Sequence, residues 1–141
     1  MPADPAKNSL RVIAAYLDDV DVDLDAGRRL VAEPANRMAA FHLQQAAEKL
    51  VKAIRLSRGV RLTAEHSIEL LVEEFSQDDP WRAKLIALEP LSVYATTFRY
   101  PSPSGKRKDG LSSDEVLGWI RTIAALCAEA RVLIGVVGPA T

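Results

Sequence analysis

Apolar residues recur along most of this chain at alternating spacings of three and four, the period that places them on one face of an α-helix. Leu10, Ile13, Leu17, Val20, Leu24, Gly27 and Val31 keep that spacing without a break, which predicts a long first helix with Asn8 or Ser9 as its N-cap. Ala40, Leu43, Ala47, Leu50 and Ile54 mark a second between Met38 and Gly59, and Glu33-Pro34 breaks the pattern between the two. Proline suits a first helical position, and so short a connection makes the two helices antiparallel neighbours. Gly59 fits a left-handed cap, with Arg55 and Arg58 placing positive charge at the helix C-terminus. Ile68, Leu71, Val72 and Phe75 predict a short third helix, with His66 at or just inside its start. Asp79-Pro80 begins a fourth, whose seam runs through Trp81, Leu85, Leu88, Leu91 and Ala95 to Phe98. Pro90 lies inside that seam and should kink the helix near Ile86 to Leu88 or split it, because it lacks a donor and clashes with the preceding turn. Pro101 and Pro103 end it. Ser112-x-x-Glu115 is a capping box for the last helix, whose seam is Val116, Ile120, Ile123, Cys127, Ala130 and Ile134, with Gly135 as its stop. Strand alternation, internal repeats and a glycine-rich phosphate loop are absent from the pattern. The fold class is therefore all-α, an antiparallel up-and-down bundle of about five helices in which the first, second, fourth and fifth form a four-helix core. A single domain over 1–141 is expected, with 1–8 and 101–111 flexible.

The polar positions add detail. Gln44, Gln45, Glu48, Lys49 and Lys52 run beside the apolar seam of the second helix, where alanines at 46, 47 and 53 permit close packing. Such a row is either a trapped hydrogen-bonded site in a bundle or a solvated face stabilised by pairs such as Glu48 to Lys52. Asp18, Asp19, Asp21, Asp23 and Asp25 stud the first helix. A metal-binding Asp-x-Asp pair needs both carboxylates on one side, whereas residues two apart on a helix point about 200° from one another. The aspartates read as a solvated acidic face or, alternatively, a surface for a basic partner. Leu117, Leu126 and Leu133 on the last helix and Val12 and Val22 on the first lie off the main seams, a second apolar stripe that predicts a homodimer.

The 141 residues are 48% hydrophobic and 26% charged, ordinary for a globular domain. A net charge of −1 gives no global attraction to nucleic acid, so any such binding needs a local patch. Lys106, Arg107 and Lys108 form the one three-residue basic run. A single cysteine, Cys127, excludes an internal disulfide and a cysteine-built zinc site, and its place on a seam points to inert packing. The sequence shows neither an 18-residue apolar run nor a hydrophobic segment near the N-terminus, so no membrane span and no secretory signal are expected, and a cytoplasmic location follows.

Three segments then carry a family likeness. Phe41-His-Leu-Gln-Gln-Ala-Ala-Glu-Lys-Leu-Val-Lys-Ala53, Glu65-His66-Ser-Ile-Glu-Leu-Leu71 and Tyr94-Ala-Thr-Thr-Phe-Arg-Tyr-Pro101 resemble the HEPN domain, in order and in helical placement. The resemblance implies an all-α bundle that often dimerises and works beside a small nucleotidyltransferase. It further implies either a nucleotide- or RNA-phosphate-binding accessory module or a metal-independent endoribonuclease of the toxin or defence type; a third possibility is a purely structural interaction bundle. Neither a cofactor nor a metal is implied. On the binding reading the ligand residues are Gln45, Lys49, Lys52, His66, Tyr94, Arg99 and Tyr100, with cations on a shared anion and a tyrosine stacked on a base. On the nuclease reading the Arg-x4-6-His motif, matched at Arg37 to His42 and at Arg61 to His66, makes His66 the catalytic base and Arg61 the phosphate-stabilising cation. A structural alternative pairs Arg99 with Glu48 and uses His66 to hydrogen-bond the helix start.

Overall fold

A computed structural model describes residues 5–32, 36–95, 103–105 and 110–137. Among them are five α-helices, α1 (Pro5–Leu30), α2 (Asn36–Ser57), α3 (Ile68–Glu73), α4 (Pro80–Ile86) and α5 (Ser113–Ile134), and one 3-10 helix, Glu89–Ala95. The all-α bundle is as the periodicity demands. Lys49 reaches back to Asp19 while His42 meets Asp23, so α1 and α2 run antiparallel. Cys127 lies against Leu17 and Ile120 against Gly27, so α5 also runs antiparallel to α1.

The seams meet in one core. Leu17, Leu24, Leu43, Leu50, Ile54, Leu71, Leu85, Leu91 and Ile123 are fully enclosed, and each aliphatic side chain contributes roughly 1.5–3 kcal/mol by leaving water. Cys127 is buried among them, and desolvation pushes its thiol up to about 11, which makes it a packing residue.

Local signals are read as expected at most helix ends. Ser112 accepts from the Glu115 amide while Glu115 accepts from the Ser112 amide. Gly59 at φ 78° lets the Val60 amide close onto the Arg55 carbonyl at 3.0 Å. Three details differ from the sequence reading. Helix α1 begins at Pro5, so Ser9 lies inside it and neither Asn8 nor Ser9 is its cap; proline is compatible with a first turn, which has no partner for its N–H anyway. The start of α2 is Asn36, and Glu33 to Ala35 lie outside the described residues. His66 precedes the N-cap of α3, which is Ser67. The fourth helix is split, one of the two outcomes expected of Pro90, with α4 ending before Leu88 and the chain resuming as the 3-10 helix that contains Pro90. This split pair, with α3, occupies the fourth side of the bundle.

Two ion pairs clamp that side to α2. Arg55, only 3% exposed, is held by Glu74, and Arg58 donates to both oxygens of Asp79 at 2.8 and 3.1 Å. Asp79 also caps α4, accepting from the Trp81 amide at 3.0 Å. The hydrogen bond from Arg58, with help from that amide, holds the Asp79 carboxyl below the usual aspartate value. A lowered folded-state pKa gives stability that is fully present above the ordinary value of about 3.9 and is lost as pH falls through the lowered one. Asp79→Asn, which retains a capping oxygen but no charge, is expected to cost on the order of 1 kcal/mol at neutral pH. Urea titrations of both proteins should show that difference shrinking below about pH 4.

Candidate functional site

The polar flank of α2 is largely enclosed, which decides between the two readings of that row. Gln44 is inaccessible, and Glu48 and Lys52 are 5% and 7% exposed. His66 lies over Glu48 here, and α3 and the 3-10 helix pack against α2, so each enclosed polar atom needs a protein partner. Oε1 of Glu48 accepts from Nε2 of Gln44 at 3.2 Å, and Oε2 lies 3.3 Å from Nζ of Lys52 and 3.2 Å from Nδ1 of His66. Gln45 donates to Gln44 at 2.7 Å. The row ends at an exposed ring: the His66 side chain is 72% accessible although its anchor is buried. Glu65 steadies the loop here, accepting from the amides of His66 and Ser67 at 3.0 and 2.9 Å, and the Ile68 amide donates to Oγ of Ser92 at 3.3 Å. The segment that carries His66 is thus tied to both α2 and the 3-10 helix.

Of the residues expected to share a ligand, Lys52 and His66 meet at Glu48, and Gln45 is linked to them through Gln44. Lys49 does not join them. Its ammonium lies on the α1 side, 2.7 Å from Asp23. Tyr94 is half-buried, and burial followed by the charge of Glu115 raises the pKa of its hydroxyl. Arg61 is exposed on the loop five residues before His66. Arg99 and Tyr100, and with them Lys106 to Lys108, lie outside the described residues, as do the proposed pairings of Arg99.

His42, the histidine of the Arg37 to His42 match, serves the helix hairpin. His42 Nδ1 is 3.0 Å from Oδ1 of Asp23, whose other oxygen holds Lys49. This corrects the expectation of a solvated acidic face at Asp23, while Asp19 and Asp25 stay exposed as expected. Asp23 is 7% exposed, and Asp18 and Asp21 both receive Nη2 of Arg131 on α5 at 3.1 and 2.6 Å, leaving Asp25 in an outward pair with Arg29. Asp21 and Asp23 serve opposite neighbours, α5 and α2, which is what their angular separation on a helix requires.

The sequence reading left Glu48 and Gln44 out of the candidate ligand set, although their i,i+4 spacing to Lys52 and Glu48 was visible. It also missed Asn36. That side chain is 2% exposed, accepts from the Ala32 amide at 3.1 Å and donates to the Leu111 carbonyl at 3.1 Å and to Ser113 at 3.2 Å, stapling the end of α1 to the starts of α2 and α5.

A separate cleft of about 280 Å³ lies at the C-terminal end of α2, lined by Arg55, Arg58, Val60, Glu74, Phe75, Ser76 and Asp79. Its charges are the clamping pairs described above. Among the described residues, no group of three or more histidine, cysteine, aspartate or glutamate side chains could hold a metal ion, and no helix is long and apolar enough to cross a membrane.

The family model for the HEPN domain matches residues 14–131, which spans α1 to α5 and includes all of the α2 flank and His66. This chain belongs to the HEPN domain family. Comparison with curated proteins and with solved structures gives no significant match. Membership places this HEPN domain among nucleotide- and RNA-related modules at the level of the family.

The geometry separates the two histidines by role. Asp23→Ala should leave His42 and Lys49 half-buried without their acceptor, at a cost of about 1–3 kcal/mol. The expected result is a lower urea midpoint at unchanged slope. An unaltered midpoint would mean that these contacts do not hold α1 to α2.

Proposed function

We propose that this HEPN domain is a nucleotide- or RNA-phosphate-binding accessory module whose ligand end lies at His66 and Lys52. The observation that carries this reading is an exposed imidazole fixed at one nitrogen to a buried carboxylate–lysine pair, with its other nitrogen left for a ligand. A protonated ring donates to a phosphate oxygen, Lys52 adds positive charge beneath it, and Gln45 offers an amide on the same flank. Arg61 supplies a further cation on the neighbouring loop. Arg99, Tyr94 and Tyr100 remain part of the proposed ligand set on the strength of the family resemblance, and so does Lys49, though its ammonium is committed to Asp23.

The alternative with a specific observation in its favour is a metal-independent endoribonuclease. A histidine anchored by a carboxylate is the arrangement that orients a general base, here toward an RNA 2′-hydroxyl, with Arg61 as the cation for developing phosphate charge. Binding and cleavage are separable by experiment. His66→Ala should weaken binding of short RNAs or nucleotides roughly 10-fold, the equivalent of one charge-assisted hydrogen bond, with little change in melting, because the ring is largely exposed. Cleavage that persists in EDTA and is abolished by His66→Ala would establish the nuclease; a wild-type protein inert toward RNA, with and without its partner, removes it. Failure to bind any nucleotide or RNA would leave a structural interaction bundle.

The partner in this proposal is a small nucleotidyltransferase, the location is the cytoplasm, and the protein is a homodimer. Leu117 and Leu133 on α5 and Val12 and Val22 on α1 are 38%, 50%, 38% and 65% exposed, while Leu126 is half-buried against the core. Light scattering at tens of micromolar is expected to give twice the chain mass; a monomer there refutes the dimer.

A further inference from the structure

The geometry points to Glu48 as a positioning residue that fixes the tautomer of His66, so that the neutral ring carries its proton on Nδ1 and presents Nε2 outward as an acceptor. Glu48 is buried beside Lys52, as a paired anion, and an ionised carboxylate can only accept hydrogen bonds. The groups around it are ordered: Gln45 donates to Gln44 and Gln44 to Oε1 of Glu48, while the Lys52 ammonium pairs with Oε2 at 3.3 Å. Nδ1 of His66, at 3.2 Å from that same Oε2, completes the set only as a donor. A ring this exposed would otherwise rotate and exchange tautomers freely; the buried anchor removes both freedoms.

This has a chemical consequence for a ligand, which rests on the reading that His66 faces one. In the neutral ring Nε2 offers a lone pair and suits a hydroxyl donor, such as that of a ribose. In the protonated ring Nε2 becomes a donor and suits a phosphate oxygen. One atom therefore takes opposite roles in the two charge states, and Glu48 is the residue that assigns both roles to Nε2. Gln44 and Lys52 act on the ring only through Glu48.

The test is two-bond proton–nitrogen correlation on the full-length ¹⁵N-labelled chain, at a pH where the ring is neutral, comparing wild type with Glu48→Gln. The expected wild-type spectrum shows His66 protonated on Nδ1 and bare on Nε2. Glu48→Gln places an amide that can itself donate to Nδ1, so the population is expected to move toward the Nε2–H form. A wild-type ring in the Nε2–H form overturns the assignment, as does a folded Glu48→Gln protein with an unchanged tautomer. Should Glu48→Gln fail to fold, the wild-type spectrum alone decides. Binding of matched ribo- and deoxyribo-oligonucleotides is measured alongside. An Nδ1–H ring in a protein that binds neither supports the positioning role and refutes only the ligand reading, whereas an Nε2–H ring in a protein that binds refutes the positioning role alone.

Discussion

The rest of the structure depends on a constraint placed on α2: it is packed on three sides, so its polar residues cannot be left to water. A buried donor or acceptor without a partner costs about 1–3 kcal/mol, comparable with a large share of a small domain's net stability. Helix α2 meets that constraint by sending its polar side chains in two directions. His42 and Lys49 go to Asp23 on α1; Gln44, Glu48, Lys52 and Arg55 go to one another and to the α3 side. Alanines make this possible, since Ala39, Ala46 and Ala53 are fully buried and bring the helix backbones near enough for short carboxylate side chains to span the gap.

The same constraint explains why the fourth side of the bundle is irregular. Pro90 prevents a continuous helix, and the resulting pieces are each too short to be held by their own hydrogen bonds. They are held instead by side chains: Arg58 to Asp79 at the start of α4, Arg55 to Glu74 just beyond α3, and Ser92 to the Ile68 amide between the 3-10 helix and α3. Broken structure here brings His66 over the polar flank, a position that a straight antiparallel helix would have filled with its own side chains.

What could be read from the sequence divides along the same line. Seams, caps and stops are local, so Leu43, Leu50 and Ile54, the Ser112 and Glu115 box, Gly59 and the Asp79-Pro80 start were all legible from spacing alone. Partners across helices were not. Five aspartates on one helix look alike in sequence, and only the angular placement of α2 and α5 around α1 makes Asp23 buried, Asp21 a bridge and Asp25 a surface residue. Asn36 gave no signal, because a helix-start asparagine usually satisfies its own backbone and here it joins three separate segments. At the candidate site, the sequence supplied Lys52 and His66 but not the carboxylate they share, since Glu48 and Lys52 at i,i+4 describe a solvent pair equally well until burial is known.

Electrostatics then limits how a phosphate could reach His66. From Glu65 to Asp79 the chain carries Glu65, Glu69, Glu73, Glu74, Asp78 and Asp79 and no lysine or arginine. Two of these charges are neutralised, Glu74 by Arg55 and Asp79 by Arg58; Glu65 accepts from the His66 and Ser67 amides, and Glu69, Glu73 and Asp78 remain exposed on α3 and its following turn. An anion approaching over α3 would meet like charge at distances where screening at physiological salt, with a Debye length of about 8 Å, is incomplete. The favourable direction is from the side of the preceding loop, which carries Arg61, since Lys52 beside the ring is offset by Glu48. On the proposed reading, a phosphate would reach His66 from the side away from the acidic helix, a direction set by charge before any contact is made.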